Sequence, residues 1–217
     1  KAVQLGTVFV TTEESQVHEN YKKAIKYLSN NIEEMGNCDR KISNTLFLAE
    51  DYRVFADSLI WEGEYDEANE KLKECEEIYV TNKQTMDRYY IRFKYTTQLL
   101  LTMSGDVVSA INNLNALLSN KIKGKYDNGQ INMILALAIL LNKDNASYVE
   151  GIEHAKKAAD TFENIDASME ANMSNLILKK LYDKQGVNKK VDFDFENEYI
   201  ENWINYVEEI IDKKLGD

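Results

Sequence analysis

Residues 61–75 read WEGEYDEANEKLKEC. Gly63 stands two residues ahead of an aromatic, Tyr65; Ala68 follows three later, then Leu72 and Cys75 at spacings of four and three. Those spacings put Ala68, Leu72 and Cys75 on one face of a helix that begins just after a turn. The same arrangement recurs along the chain. Ala24 is followed by Leu28, Ala110 by Leu114 and Leu117 with Gly105 ahead of it, and Gly151 by Ala155 and Ala158. Ala24, Ala68, Ala110 and Gly151 stand 44, 42 and 41 residues apart. A period of roughly 40 residues holding two helical patterns marks a helical repeat array.

Each unit also carries an upstream helix. Tyr52, Phe55, Ala56 and Leu59 fall at i, i+3, i+4 and i+7 and form one apolar stripe before Gly63. Tyr89 to Met103 precedes Gly105, Ile131 to Leu141 precedes Tyr148, and Met169 to Tyr182 opens a further unit. The periodicity predicts about nine helices, over 13–35, 41–62, 65–80, 85–103, 106–120, 127–142, 147–163, 166–183 and 195–214. Residues 1–12 read as an N-terminal extension or the end of an upstream region, 13–183 as the repeats, and 184–217 as a linker and a C-terminal capping helix. A small residue is needed where two helices of a unit cross and a third leans on them, because a large side chain there holds the backbones apart. Ala68, Ala110 and Gly151 meet that need, while Gly63 and Gly105 suit turns that require positive φ.

Composition agrees. No proline occurs in the 217 residues, although average usage of about 5% would give roughly ten. Pro-rich linkers and tightly turned sheets are therefore disfavoured, and long helices with polar connections are not. With 26 Lys and Arg against 37 Asp and Glu the formal charge is −11, and no basic run exceeds Lys189-Lys190. Such a surface repels a phosphate backbone, so direct nucleic-acid binding is not expected. Cys38 and Cys75 lie far apart and outside any CxxC pattern, which favours a reducing, cytoplasmic setting. The longest mainly apolar run, Ile131 to Leu141, is about half of what a bilayer span needs, so no membrane is expected. A start at Lys1, without methionine or signal-peptide pattern, leaves room for a larger parent protein.

The segment Tyr52 to Cys75 resembles a tetratricopeptide repeat: Tyr52 at the first aromatic position, then Phe55, Ala56 and Leu59, the turn of Gly63 to Ala68, Leu72, and Cys75 where alanine is usual. Other units match less: Gly105 to Leu117 keeps the turn glycine, Ala110, Leu114 and Leu117 but has Lys94 at the aromatic position, and no unit has the closing proline. The resemblance implies an all-α, right-handed solenoid of antiparallel helix pairs. The 40-to-44-residue period is similar to that of divergent repeats in bacterial regulators, where the superhelix binds a peptide or a protein domain.

Chemistry is sparsely supported. His18 and His154 lack a second ligand at metal spacing, and no HExxH, GxGxxG, P-loop or GxSxG occurs. No cofactor, metal or catalytic residue is expected, and the chain is not read as an enzyme. In the resembled family the first helix of each pair lines a concave groove. That implies a partner-binding set of Arg53, Asp57, Trp61, Arg92, Tyr95, Asn132 and Asn172, with Asn175 as the alternative to Asn172. Asparagine suits the task because its side chain can bond both the N–H and the C=O of an extended peptide backbone. The competing reading is that Arg53 and Arg92 only pair with nearby acids. The expected function is a protein- or peptide-binding scaffold, in a setting such as the sensing part of a larger regulator. The alternative is an assembly module that dimerises through the stripe of Ile200, Trp203, Ile204, Val207, Ile210 and Ile211; the plainer reading of that helix is a cap on the preceding one.

Overall fold

The computed structural model describes residues 39–83, 88–120, 122, 124–143 and 147–216, with 22, 23, 25–27, 29 and 30. Every regular element among the described residues is helical. Helix α1 spans Asp39–Glu62, α2 Tyr65–Thr81, α3 Arg88–Ser104, α4 Val107–Ser119, α5 Lys125–Leu141, α6 Tyr148–Glu163, α7 Ser168–Gln185 and α8 Glu198–Gly216. Residues 22, 23, 25–27, 29 and 30 are also helical. Ala24, Leu28, His18 and Cys38, on which expectations rested, lie outside the described residues. The chain groups into two compact units that meet in sequence at Leu100 and Leu101.

In the first unit α1 and α2 pack side by side. Two residues connect them, and Gly63, at φ +86°, makes the reversal. Its N–H bonds the Ile60 carbonyl at 3.2 Å and the Glu64 N–H reaches back to Leu59 at 2.9 Å, which closes the last turn of α1. Phe55, Ala56 and Leu59 of the expected stripe are fully buried, facing the buried Ala68, Leu72, Cys75 and Tyr79 of α2. An aromatic cluster continues the core onto α3: Tyr79 meets Tyr90 edge-on at 5.5 Å, and Tyr90 stacks on Phe93 at 5.4 Å.

In the second unit α5 is the central helix. Residues 131–141 are buried without interruption, the pattern of a helix enclosed on all sides. Helices α4, α6 and α7 all pack against it. Gly151 of α6 lies where α5 and α7 both approach: a Cβ added there would sit 2.9 Å from Leu181 Cδ2 and 3.0 Å from Ile139 Cγ2. The crossing inferred from spacing is thus a three-helix contact.

The chain end departs from short-looped helix pairing. After Gly186 residues 187–195 form no helix or turn, and they run back along α7. Asp192 contacts Asn175, Asp194 contacts Asn172, and Glu196 contacts Ser168, so the segment travels antiparallel to the helix. It delivers α8 to the N-terminal end of α7. Further along, Lys180 binds Glu208 and Asp212 at 2.7 Å each, so α8 runs parallel to α7. The Ile200, Ile204, Val207 and Ile211 stripe is buried within the chain, while Trp203 and Ile210 are half-buried.

Candidate functional site

The residues expected to form a binding set fall into three local environments. Arg53, Asp57, Trp61, Arg92 and Tyr95 belong to the first unit, Asn132 and Asn172 to the second.

Around Glu50 a charged cluster is closed on itself. Arg53 is one helical turn on from Glu50, so its guanidinium reaches the carboxylate as a fork: Nε to Oε2 at 3.0 Å and Nη2 to Oε1 at 2.8 Å. Its Nη1 donates to Thr96 Oγ1 on α3 at 3.2 Å, and Arg92 Nη1 reaches Glu50 Oε1 at 3.3 Å. Arg92 also lies over the Tyr89 ring at 5.1 Å. Burial works against the charge on Arg53, but the charge and hydrogen bonds of Glu50 offset it and hold its proton more firmly than usual. Glu50 is itself buried, and beside it burial, then the Glu50 charge, raises the Asp51 carboxyl to about 6. Both arginines thus pair with Glu50. Trp61 and Tyr95 are 6% and 5% exposed, core rather than surface, and Asp57 is half-buried.

Asn132 is fully buried at the α5–α6 contact. Its Nδ2 donates to the Asn128 carbonyl at 2.7 Å and to Asn128 Oδ1 at 3.0 Å, and its Oδ1 lies 2.8 Å from His154 Nδ1. Because that oxygen only accepts, the imidazole carries its proton on Nδ1. Burial lowers the His154 pKa, against the opposing pull of Glu150. All polar atoms of the Asn132 amide have partners, so this asparagine joins two helices.

Asn172 does what the sequence expected of an asparagine, on a different partner. Its Nδ2 donates to the Asp194 carbonyl at 2.7 Å while its Oδ1 accepts the Asp194 N–H at 2.9 Å, both main-chain groups of one extended residue. A second Nδ2 bond, 2.8 Å to the Ser168 carbonyl, fixes the amide orientation. Asn175 Nδ2 donates to the Asp192 carbonyl at 3.2 Å, and Ser168 Oγ contacts the Glu196 carboxylate. Asn172 is only 2% exposed because the segment covers it. The sequence treated this segment as a linker. The signal that marks it is the alternation Val191-Asp192-Phe193-Asp194-Phe195-Glu196, period two in an otherwise helical chain.

Elsewhere in the second unit an open cleft of about 310 Å³ includes Thr102, Met103, Asp106, Lys143 and Lys214 in its walls, and none of the expected set. Among the described residues no group of three or more His, Cys, Asp or Glu is placed to hold a metal, and no helix is long and apolar enough to cross a membrane. Among the described residues the regular structure is thus helical throughout, and one face of α7 holds extended backbone. No family model matches the chain, and no match was found among curated proteins or solved structures.

Proposed function

We propose that the chain is a helical-repeat scaffold of the tetratricopeptide kind that binds a protein or peptide segment in extended form, without chemistry of its own. One observation carries the reading: Asn172 holds both main-chain groups of an extended residue, Asp194. Bonds of that kind recognise a strand whatever its side chains, which is what a peptide-binding surface needs. Gly63 at a helix turn, Gly151 at a three-helix contact and the fully buried Ala68 support the repeat architecture. Burial of the α8 stripe inside the chain supports a cap over a dimer contact. The role fits the sensing part of a larger bacterial regulator, where a bound strand is the signal.

A displayed library of random peptides tests this. Selection is run on the wild-type chain and on the Asp194→Pro variant, in which the N–H accepted by Asn172 is gone. Peptides binding with micromolar Kd are expected from at least one form. If neither form enriches peptides beyond an unrelated acidic helical protein, the scaffold reading fails.

A further inference from the structure

The contacts between α7 and residues 191–196 have a common measure. Ser168, Asn172 and Asn175 lie at i, i+4 and i+7, one stripe of the helix, with steps of about 6.0 and 4.5 Å along its axis. Their partners, Glu196, Asp194 and Asp192, are alternate residues of an extended chain, about 6.6 Å apart and on one side of it. Helix stripe and strand therefore stay in register over three successive contacts. Two of the three are made to main-chain atoms of the segment, and the third to the Glu196 carboxylate. Asp192, Asp194 and Glu196 are exposed, Val191 and Phe193 are half-buried, and Phe195 remains 38% exposed, its ring stacked on Phe193 at 5.6 Å. Residues 183–190, leading into the segment, are all exposed. An attachment whose hydrogen bonds go mainly to the backbone of the segment, at Asp194 and Asp192, is one that another strand can reproduce.

Length also permits its release. From Gln185 back to Ser168 the helix covers about 26 Å, whereas the residues from Gly186 to Asn197 can span about 36 Å or more when extended. The segment can lift off without unseating α8, which keeps its buried stripe and its Lys180 ion pairs to Glu208 and Asp212.

We infer that residues 191–196 are an internal strap occupying the Ser168–Asn172–Asn175 stripe of α7 in the manner of a bound peptide, and that an extended peptide partner binds there by displacing it. This rests on the scaffold reading and adds to it the place of binding and the obstacle to it. The partner is recognised by its main chain at alternate residues, with a carboxylate at the Ser168 end. A ligand that must wait for the strap to open binds with its affinity reduced by the fraction of time the stripe is free.

The probe is a fluorescently labelled peptide of residues 187–197, followed by anisotropy on the whole chain. It should bind the strap-loosened Asp194→Pro chain at least about tenfold more tightly than wild type. Asn172→Asp in that background, which replaces the donating Nδ2 by oxygen, should reverse the gain by about tenfold. On the wild-type chain, excess unlabelled peptide should accelerate amide exchange at Asp194, a readout needing no substitution. Equal affinity for the wild-type and loosened chains overturns the inference, as does binding indifferent to Asn172. A dimer that forms by strap exchange, read by light scattering, overturns it in favour of a second copy as partner. Library peptides that bind both forms and ignore Asn172 leave the scaffold reading standing and overturn the strap alone; no binder on any form removes both.

Discussion

Replacing Gly151 by valine sets two effects of opposite sign against each other. Glycine inside a helix costs about 1 kcal/mol relative to alanine, and valine forfeits part of that difference, so propensity alone predicts a gain of roughly 0.3–0.5 kcal/mol. Packing opposes it. The new Cβ alone would stand 2.9 Å from Leu181 Cδ2 and 3.0 Å from Ile139 Cγ2. Leu181 can swing a terminal methyl aside, but the Ile139 methyl sits on a β-branched side chain with one comfortable rotamer in a helix. Both residues are buried, and the two further methyls of valine add to the crowding. Overpacking of this kind costs about 1–3 kcal/mol, so the net loss is about 2 kcal/mol. For a chain of this size that lowers Tm by about 4–8 °C, measured by circular dichroism at 222 nm. An unchanged or raised Tm would mean that α5, α6 and α7 do not meet at Gly151, and the crossing-point argument would be lost with it.

Ala68→Trp and Ala110→Trp bring a large ring to fully buried positions and should each cost about 1–3 kcal/mol or more in urea unfolding; full stability in either would reject that register. Glu50→Ala removes the carboxylate that both Arg53 and Arg92 contact and is expected to cost about 3–5 kcal/mol, so a loss under about 1 kcal/mol would show the cluster to be dispensable. His154 has a lowered pKa in the fold because burial disfavours its charged form. The unfolded chain then binds the extra proton first, and stability falls as pH drops below about 6.5 toward the folded value. His154→Gln should cost about 1 kcal/mol at pH 7.5 and lessen the fall in Tm between pH 7.5 and 5.5; an identical fall in both proteins would refute the assignment.

The helices were legible because their cues are local. All eight described helices with stated bounds begin and end within three residues of the expected limits, and the reversal at Gly63 follows from one glycine two residues before Tyr65. Gly151 was legible because a small residue at a repeated position has a packing cause. The binding set was harder to read. Arg53 and Arg92 have the composition of a ligand site, yet Glu50, one turn before Arg53, takes both; position on a helix face gives no measure of whether a nearby acid has already used a charge. Trp61 and Tyr95 are covered by neighbours that only the tertiary structure specifies. For Asn172 the sequence supplied the chemistry and missed the partner, since a six-residue alternation between two long helices carries little weight until its backbone is seen against α7.

The parallel course of α8 also sets which side chains the last helix of the second unit exposes. A stack of antiparallel helices presents at its last member an apolar flank of the same shape as every internal one, and so offers a place where another copy could add end to end. Here that flank of α7 receives a helix that runs parallel to it, whose outer surface carries Glu201, Asn202, Asn205 and Glu209, all exposed. Its inner side is the buried stripe of Ile200, Ile204, Val207 and Ile211, so the two sides of this last helix differ in kind.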